Sequence, residues 1–535
     1  MAMQGGRAFG RVTLGVLIGG LGLTRAGAQT PRIAPPPPCR VDARVPFADL
    51  IGRPASSAGT VVAVLAPEAR LSDGAQVHLP WAIARGIANG LSGVPGIFTP
   101  TVGSAERAST EAAGRVNQLA ELVGAKFMVT GTMTSQRGGA SITMRVLARG
   151  GEMPRWEREF LYPQTSLASI EDQVVAAVAE VLRVARPNVR RPVSDPAAYD
   201  NLARGDYFLT QYDLWAGDSA RAAFERALDK APKSALVLGR LVRAYATALE
   251  RRGRVGPLGQ LAALRGGEAL VDRALLADSA TADAWTGRAI FERVRDPRLY
   301  AGAIRAHERA IKVAPRSADA RQEYAITLLR MGRDQAAEAQ LRQALGFERD
   351  RAVSLRLLAE LEYLARRYVN ACALVNASIG ADSYDPLAYA LRARVRMHMD
   401  EFRDAFSDAE TARRLSGAAW GEALEFYVNA YSREFDAAKA DARRLSNAKL
   451  KAGSTLGVRD AVYLSLGLTA LGTRDKAFDA LSRARPRGAE LRSALRDPGF
   501  DAIRSDPRFD QVGIETPVGA TSGTKAAAAG PSGTR

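Results

Sequence analysis

Small side chains recur at a fixed spacing in the second half of this chain. The first row is Ala303, Ala337, Ala371 and Ala405. A second row follows seven residues later at Ala310, Ala344, Ser378 and Ala412. The spacing within each row is about 34 residues, the length that two antiparallel helices take with their turns, and small side chains are needed where neighbouring helices come close. The pattern therefore predicts stacked helical hairpins.

Ahead of these repeats, the apolar positions change from helical spacing to a mixture of strand and helix patterns. Short apolar, β-branched-rich runs predict strands over residues 60–66, 126–133, 140–148 and 155–162. The middle two strands are joined by a glycine-containing hairpin turn. Apolar residues at helical spacing predict helices over residues 79–91, 109–123 and 167–184. Together these elements predict one small α/β domain over residues 59–187.

This order of elements resembles the amino-terminal domain of TolB-like proteins. The resemblance rests on the opening strand 62–65, the helix end and strand over 119–131, and Trp156 ahead of the closing helix. It implies a small mixed sheet with helices, an arrangement often found in bacteria directly before tetratricopeptide repeats. The glycines lack the spacing of a nucleotide-binding loop, so Gly124 and Gly131 are interpreted as structural.

Residues 195–487 resemble tetratricopeptide repeats. Segments 224–232 and 307–315 match second helices that end in a proline, and the glycines of 331–333 and 471–474 suit inter-helix turns. About eight hairpins are predicted, at 195–234, 235–281, 282–317, 318–351, 352–385, 386–418, 419–457 and 458–487. Two Asp-Pro-x-Phe sequences lie in residues 488–516, which we expect to cap the last hairpin. Residues 517–535 are expected to form a disordered tail.

Residues 1–28 have the pattern of an export signal. Arg7 and Arg11 precede a short apolar stretch, and Ala26 and Ala28 supply small residues before cleavage after Ala28. This predicts a periplasmic or secreted protein with no transmembrane span in the mature chain, while retention of the signal as an anchor stays open. The proline-rich residues 29–58 are predicted to be a linker.

Composition and charge limit the classes of molecule that this protein is expected to bind. The formal net charge is +17, from 74 basic and 57 acidic residues, and it comes almost entirely from dispersed arginines. The interpretations are a solvated, arginine-rich surface, an acidic protein or peripheral envelope partner, or, least favoured, nucleic acid. No run resembles a basic arm.

The metal-binding and redox-active residue types are sparse. The two cysteines, Cys39 and Cys372, can form neither a disulfide framework nor a cysteine zinc site, and the three histidines are widely separated. Cys372 is expected to be a small buried apolar side chain beside Ala371. The sequence thus predicts no metal and no cofactor.

Binding is favoured over catalysis, because no nucleophile, base and orienting group occur in a recognisable motif. In tetratricopeptide repeats the first helix of each hairpin lines a concave groove. On that frame the partner-binding residues are predicted to be Gln322, Arg330, Arg356, Tyr363, Arg394, His398, Trp420, Tyr427 and Tyr431. Arginine and aromatic groups suit an extended peptide that is acidic or ends in a carboxylate. The alternative is that Trp420 and Tyr427 pack between hairpins and the arginines are solvated.

The leading hypothesis is an exported, non-enzymatic scaffold whose repeats bind another protein in the cell envelope, with the α/β domain as a second docking module. The alternative is a regulatory subunit or activator of an envelope enzyme. That alternative follows from resemblances: the domain pair is similar to effector portions of bacterial signalling proteins, and the α/β part to activators of peptidoglycan synthases. A third class, an enzyme with an unfamiliar site, predicts a deep polar pocket.

Overall fold

The computed structural model describes Cys39 and most of residues 60–512. The gaps are 71–75, 93, 95, 100–119, 121–123, 152, 187–192, 211–215, 253–256, 296–299, 349–350, 418, 435, 442–444, 446–455 and 485–488. The predicted signal sequence, the linker apart from Cys39, the helix over 109–123 apart from Ala120, and the predicted tail lie outside the described residues.

A mixed sheet forms the centre of the amino-terminal part. Its strands are β1 Thr60–Val64, β2 Glu68–Arg70, β3 Ile97–Phe98, β4 Phe127–Gln136, β5 Gly139–Ala148 and β6 Trp156–Tyr162. The order is β3-β1-β4-β5-β6, and β2 pairs with the far end of β4. Strand β1 pairs in parallel with both β3 and β4, and β2 pairs in parallel with β4. The pairs β4–β5 and β5–β6 are antiparallel. The four predicted strands are present, whereas β2 and β3 are too short to show a periodic pattern.

Two helices, α1 Leu79–Ser92 and α2 Leu167–Leu182, cover the sheet. Their apolar faces are buried through residues such as Ile83, Ile87 and Val174. Gly90 allows a close approach, because a Cβ there would lie 2.8 Å from a methyl of Val175. Helix and strand patterns predicted from the sequence therefore meet in one core.

The hairpins follow as pairs of helices. They are α3 Pro196–Thr210 with α4 Ala216–Lys230, α5 Ala235–Arg252 with α6 Pro257–Ala277, α7 Ala282–Arg295 with α8 Ala301–Val313, α9 Ala318–Arg330 with α10 Asp334–Phe347, α11 Ala352–Leu364 with α12 Tyr368–Ala381, α13 Pro386–Met397 with α14 Phe402–Ser416, α15 Ala419–Tyr431, and α16 Val458–Ala470 with α17 Arg474–Ser482. The partner of α15 falls partly outside the described residues.

The periodic small residues are the packing positions of these hairpins. Both rows, from Ala303 to Ala405 and from Ala310 to Ala412, are fully buried. Because neighbouring helices touch there, a larger side chain would force them apart. The chain is thus a small mixed α/β sheet followed by an α-solenoid with the fold of tetratricopeptide repeats.

The inter-helix turns use the left-handed backbone region. Gly332 and Gly472 adopt it at φ of 72° and 73°, which glycine accepts without strain. In the hairpins between them, Arg366 and Asp400 take the same place at φ of 61° and 62°. A side chain other than glycine, asparagine or aspartate is uncommon here, so the turn at Arg366 is held by its surroundings.

The first hairpin docks on the sheet domain through partly buried polar groups. Asp200 Oδ1 of α3 accepts a hydrogen bond from the Tyr162 hydroxyl at 2.9 Å, and His78 Nε2 lies 3.4 Å from the same oxygen. Burial raises the pKa of Asp200, but the contacts with His78 and Tyr162 and the charge of Arg204 outweigh it and leave that pKa below its usual value. The interface therefore holds an ionised carboxylate.

The two cysteines are joined, so the expectation that Cys372 is only a small apolar side chain is wrong. Cys39 and Cys372 form a disulfide with a Cα–Cα distance of 5.6 Å across 333 residues of sequence. Asn376 Nδ2 donates to the Cys39 carbonyl at 3.4 Å, and the Cys39 amide donates to Glu401. Cys39 is 3% exposed, so this point of the predicted linker is anchored on the fifth and sixth hairpins.

Candidate binding groove

The first helices of the hairpins form one continuous side of the solenoid, here called the first-helix face. Neighbouring first helices touch along it, as α7 does with α5 and α9, and α13 with α11 and α15. The predicted groove residues all belong to these helices, except His398, which directly follows α13. Two regions can be distinguished on the face, a charge network and an aromatic region.

The charge network joins the second to the fourth hairpin. Arg240 Nη1 lies 3.2 Å from Asp283 Oδ1, Arg243 pairs with both Asp283 and Asp319, and Arg351 Nη2 lies 2.5 Å from Asp319 Oδ1. Burial raises the pKa of Asp319, yet the three guanidinium groups hold it well below its usual range. Acidic and basic groups therefore compensate one another here.

Gln322, the first of the predicted groove residues, belongs to this network. Its Oε1 accepts hydrogen bonds from Ser354 Oγ at 2.9 Å and from Arg351 Nε at 3.3 Å. Arg330 is half-buried at the end of α9. Arg356 differs from its predicted position, because it is buried and its Nε lies 2.7 Å from Asp385 Oδ2. Its guanidinium joins two hairpins instead of facing solvent.

The aromatic region is built by Tyr363, Arg394, His398, Tyr427 and Tyr431, which we call the tyrosine seat. His398 is at its centre: Nδ1 lies 3.2 Å from the Tyr431 hydroxyl, and Nε2 lies 3.4 Å from the Tyr363 hydroxyl. Arg394 lies over the Tyr363 ring at 4.9 Å. Residues 33 to 35 apart in sequence meet here because each occupies the same place in successive hairpins.

Trp420 and Tyr427 pack between hairpins, as the alternative interpretation of these two residues predicts. Both are buried, and the Trp420 ring lies 6.1 Å from that of Tyr463 on the next first helix. Their aromatic area packs between hairpins. Tyr427 is also part of the seat, because its ring meets that of Tyr431 edge-on at 6.0 Å.

The chain's own carboxyl-terminal segment occupies the tyrosine seat, so the predicted groove is not open at the fifth to seventh hairpins. This segment, here called the strap, covers residues 490–504. It contains most of the short helix α18 Ala489–Ala494 and the 3-10 turn Pro498–Ile503, and the helix α19 Pro507–Val512 follows it. Helix α18 contacts both α9 and α16. The strap therefore crosses several hairpins instead of covering only the last one.

Asp497 is the centre of that contact. Its carboxylate accepts hydrogen bonds from the Tyr363 hydroxyl at 3.0 Å and from Arg394 Nη1 at 2.8 Å, and it is 2% exposed. The same carboxylate accepts from the Gly499 amide at 2.8 Å, which shapes the turn. Charge-assisted bonds of this kind are among the stronger ones when buried.

Apolar groups and outer ion pairs complete the seating of the strap. Phe500 is fully buried, and its ring meets that of Phe509 edge-on at 5.8 Å. Asp501 pairs with Arg366 at 2.5 Å, and Arg496 pairs with Asp334.

The return of the strap to the fifth hairpin was missed by sequence reasoning. The Asp-Pro-Gly-Phe sequence predicts a capped turn and an apolar anchor, and both are present. No local pattern reports that its carboxylate meets Tyr363, 134 residues earlier. The sequence feature that could have predicted this contact was the presence of arginines on the first-helix face together with an aspartate-containing motif after the last repeat.

The hydrogen-bond geometry assigns one arrangement of protons to the seat. The Tyr363 hydroxyl donates to Asp497, so its oxygen accepts from His398 Nε2, and Nδ1 accepts from the Tyr431 hydroxyl. Burial lowers the pKa of His398, and the charges of Arg366 and Arg394 lower it further, while Asp497 and Asp501 oppose them. The net shift is downward, and the imidazole is neutral.

We expect this histidine to make stability fall in mild acid. Because the pKa of His398 in the folded state lies below 6.5, its contribution is complete above pH 6.5 and is lost as the pH falls through the lowered pKa. Urea unfolding at about pH 7.5, 6.5 and 5.5 should show that the free energy of unfolding falls more steeply with decreasing pH for the unchanged protein than for His398→Gln. Parallel losses in the two proteins would refute this origin.

Two further findings concern the described part of the chain. It contains no group of three or more His, Cys, Asp or Glu side chains placed to hold a metal ion. None of its helices combines the length and the apolar character that a membrane crossing requires.

No protein-family model and no curated protein matches the chain. Among solved structures, PilW, a type IV pilus biogenesis factor, is 18% identical over 40% of this chain and 96% of its own, with a TM-score of 0.34. Pseudomonas aeruginosa PilF is 18% identical over 40% of this chain and 95% of its own, at 0.33. A tetratricopeptide repeat protein from Parabacteroides merdae is 14% identical over 56% of this chain and 100% of its own, at 0.29.

Proposed function

We propose that this protein is an exported, non-enzymatic scaffold that binds a protein partner in the cell envelope through its first-helix face. The observation that carries the proposal is the seating of the strap. A segment made of a short helix and a 3-10 turn lies on that face, with the Asp497 carboxylate held by Tyr363 and Arg394. A face that binds one such segment has the chemistry to bind another.

The character of the charged groups favours recognition over reaction. Along the first-helix face the arginines pair with carboxylates, as Arg243 does with Asp319 and Arg356 with Asp385. The charges of Arg243, Arg351 and Arg240 hold the pKa of Asp319 well below its usual range, whereas a general acid needs a carboxyl group whose pKa is raised. The charged groups of this face are therefore arranged to hold ion pairs and not to transfer protons.

Two features support export. Residues 1–28 have the pattern of a signal sequence, and Cys39 is joined to Cys372. Structural disulfides persist in the periplasm and outside the cell, and are rare in the cytosol. The sheet domain, docked on the first hairpin through Asp200, would form a second surface for envelope partners.

Site-specific photo-crosslinking tests the binding face. A benzoyl-phenylalanine is placed at Gln322 or Glu360 on the first-helix face, and at Glu308 or Glu410 on exposed second-helix positions as controls. After irradiation in periplasmic extract, we expect the same discrete adduct from the two first-helix positions and none from the controls. Adducts at the controls alone would move the binding site to the second-helix side. Equal background at all four would remove the proposal.

A further inference from the structure

We propose that the tyrosine seat is a site for partner segments that carry an aspartate followed by proline, a small residue and an aromatic residue, and that the strap is its internal competitor. This inference rests on the proposed function and names the ligand chemistry of the same face. The strap shows the binding mode, through Asp497, Pro498, Gly499 and Phe500. A partner segment of this kind would displace it.

The seat favours an acidic occupant. Arg394 is only 12% exposed on its side chain, and among the described carboxylates it contacts Asp497 at 2.8 Å and Glu360 at 3.8 Å. A guanidinium that loses its buried partner is strongly destabilising. When the strap leaves, a carboxylate from another chain can therefore take the place of Asp497.

The strap does not satisfy every polar atom of the seat. Arg394 Nε and the Tyr427 hydroxyl are buried, and neither has a hydrogen-bond partner in the described part of the chain. Each such atom lowers the stability of the complex that leaves it unpaired. An occupant with one more oxygen acceptor beside Arg394 and Tyr427 would form hydrogen bonds that the strap does not form.

The small residue in the motif follows from a close approach. A Cβ on Gly499 would lie 2.3 Å from the Tyr427 hydroxyl and 2.8 Å from a methyl of Leu466. The next residue, Phe500, is fully buried. A ligand therefore needs little bulk at the third position and an aromatic anchor at the fourth.

The strap is suited to be exchanged, because it belongs to a different part of the chain from its seat. One of its two outer ion pairs is exposed: the Arg366 and Asp501 side chains are 57% and 43% accessible. Exposed pairs contribute little. The tether gives the strap a high effective concentration, on the order of millimolar for a short flexible link, so a free peptide competes poorly until the strap is weakened.

Peptide binding to strap variants of the full chain tests the inference. The probe is a fluorescein-labelled peptide with the sequence of residues 489–505, and binding is followed by anisotropy. Gly499→Ala places a methyl against the Tyr427 hydroxyl and leaves the seat unchanged. We expect the peptide to bind this variant at least ~10-fold more tightly than the unchanged chain, by the tethering argument. A peptide with asparagine in place of its aspartate should bind at least ~10-fold more weakly.

A second strap variant guards against misfolding of the first. Arg504→Ala removes the bonds that Arg504 donates to the Leu495 and Asp497 carbonyls at 3.2 and 3.1 Å, and it does not touch the seat. Hydrogen exchange should show faster exchange in residues 490–504 of both variants, with the seat protected again by added peptide. If folded variants and the unchanged chain bind the peptide equally, or if none binds it, the inference fails. Crosslinks at Gln322 and Glu360 would then still leave the proposed function standing.

Discussion

Asp497→Ala is expected to lower the free energy of unfolding of the carboxyl-terminal hairpins by about 3–5 kcal/mol, the usual cost of removing one partner of a buried ion pair. The substitution removes the bonds to Tyr363 and Arg394 and leaves the guanidinium without its nearest carboxylate. The same change removes the acceptor that caps the Gly499 amide. Urea unfolding followed by circular dichroism measures the loss.

The matched control is Asp501→Ala, four residues further along the strap. Asp501 pairs with Arg366, but both side chains are largely exposed, so the expected loss is at most ~1 kcal/mol. In the double variant Asp497→Ala with Arg394→Met, part of the loss should be recovered, because the uncompensated charge is gone. Equal losses for Asp497→Ala and Asp501→Ala would show that the buried carboxylate has no special role.

The second large effect is expected at the disulfide. Cys372→Ser should lower the free energy of unfolding by about 2–5 kcal/mol, since the bond closes a very long loop in the unfolded chain. The size of this loss depends on whether Cys39 keeps its hydrogen bonds to Asn376 and Glu401 once the disulfide is gone. Urea unfolding with and without reductant measures the effect, and reductant should bring the unchanged protein to the level of the variant.

The control for this prediction is that the stability losses of the two single cysteine variants should not add in the double variant. Cys39→Ser, Cys372→Ser and the double variant all remove the same bond, so the three should lose about the same stability. Thiol titration of the unreduced, unfolded protein should detect no free thiol. Two free thiols in protein purified from the periplasm, together with additive losses, would contradict the disulfide.

The local elements could be predicted well because local sequence determines them. The regular spacing from Ala303 to Ala405 reports helix packing directly, since each hairpin repeats the same contact with its neighbour. The hairpin of β4 and β5 follows from Gly138, whose φ of 80° suits the turn. The very short strands β2 and β3 carry too few residues for a pattern.

The groove could be predicted only in outline. The repeat frame correctly placed the predicted residues on first helices or, at His398, at the end of one, but it treated the face as open to solvent. Arg356 instead pairs with Asp385 of the next hairpin, and Tyr363 with Asp497 of the strap. A repeat frame gives the place of each residue in its own hairpin, but it does not show which side chain of the next hairpin or of the strap will cover that residue.

By itself, the sequence determined what depends on neighbouring residues: the strand and helix patterns, the hairpin repeat, the glycine turns and the chemistry of the Asp-Pro-Gly-Phe motif. Tertiary structure alone decided which distant groups meet. It joined Cys39 to Cys372 and brought Asp497 to Arg394, contacts across 333 and 103 residues. The physical reason is that a helical or strand period encodes which face of an element is buried, whereas long-range pairing depends on how the stacked hairpins are arranged in space.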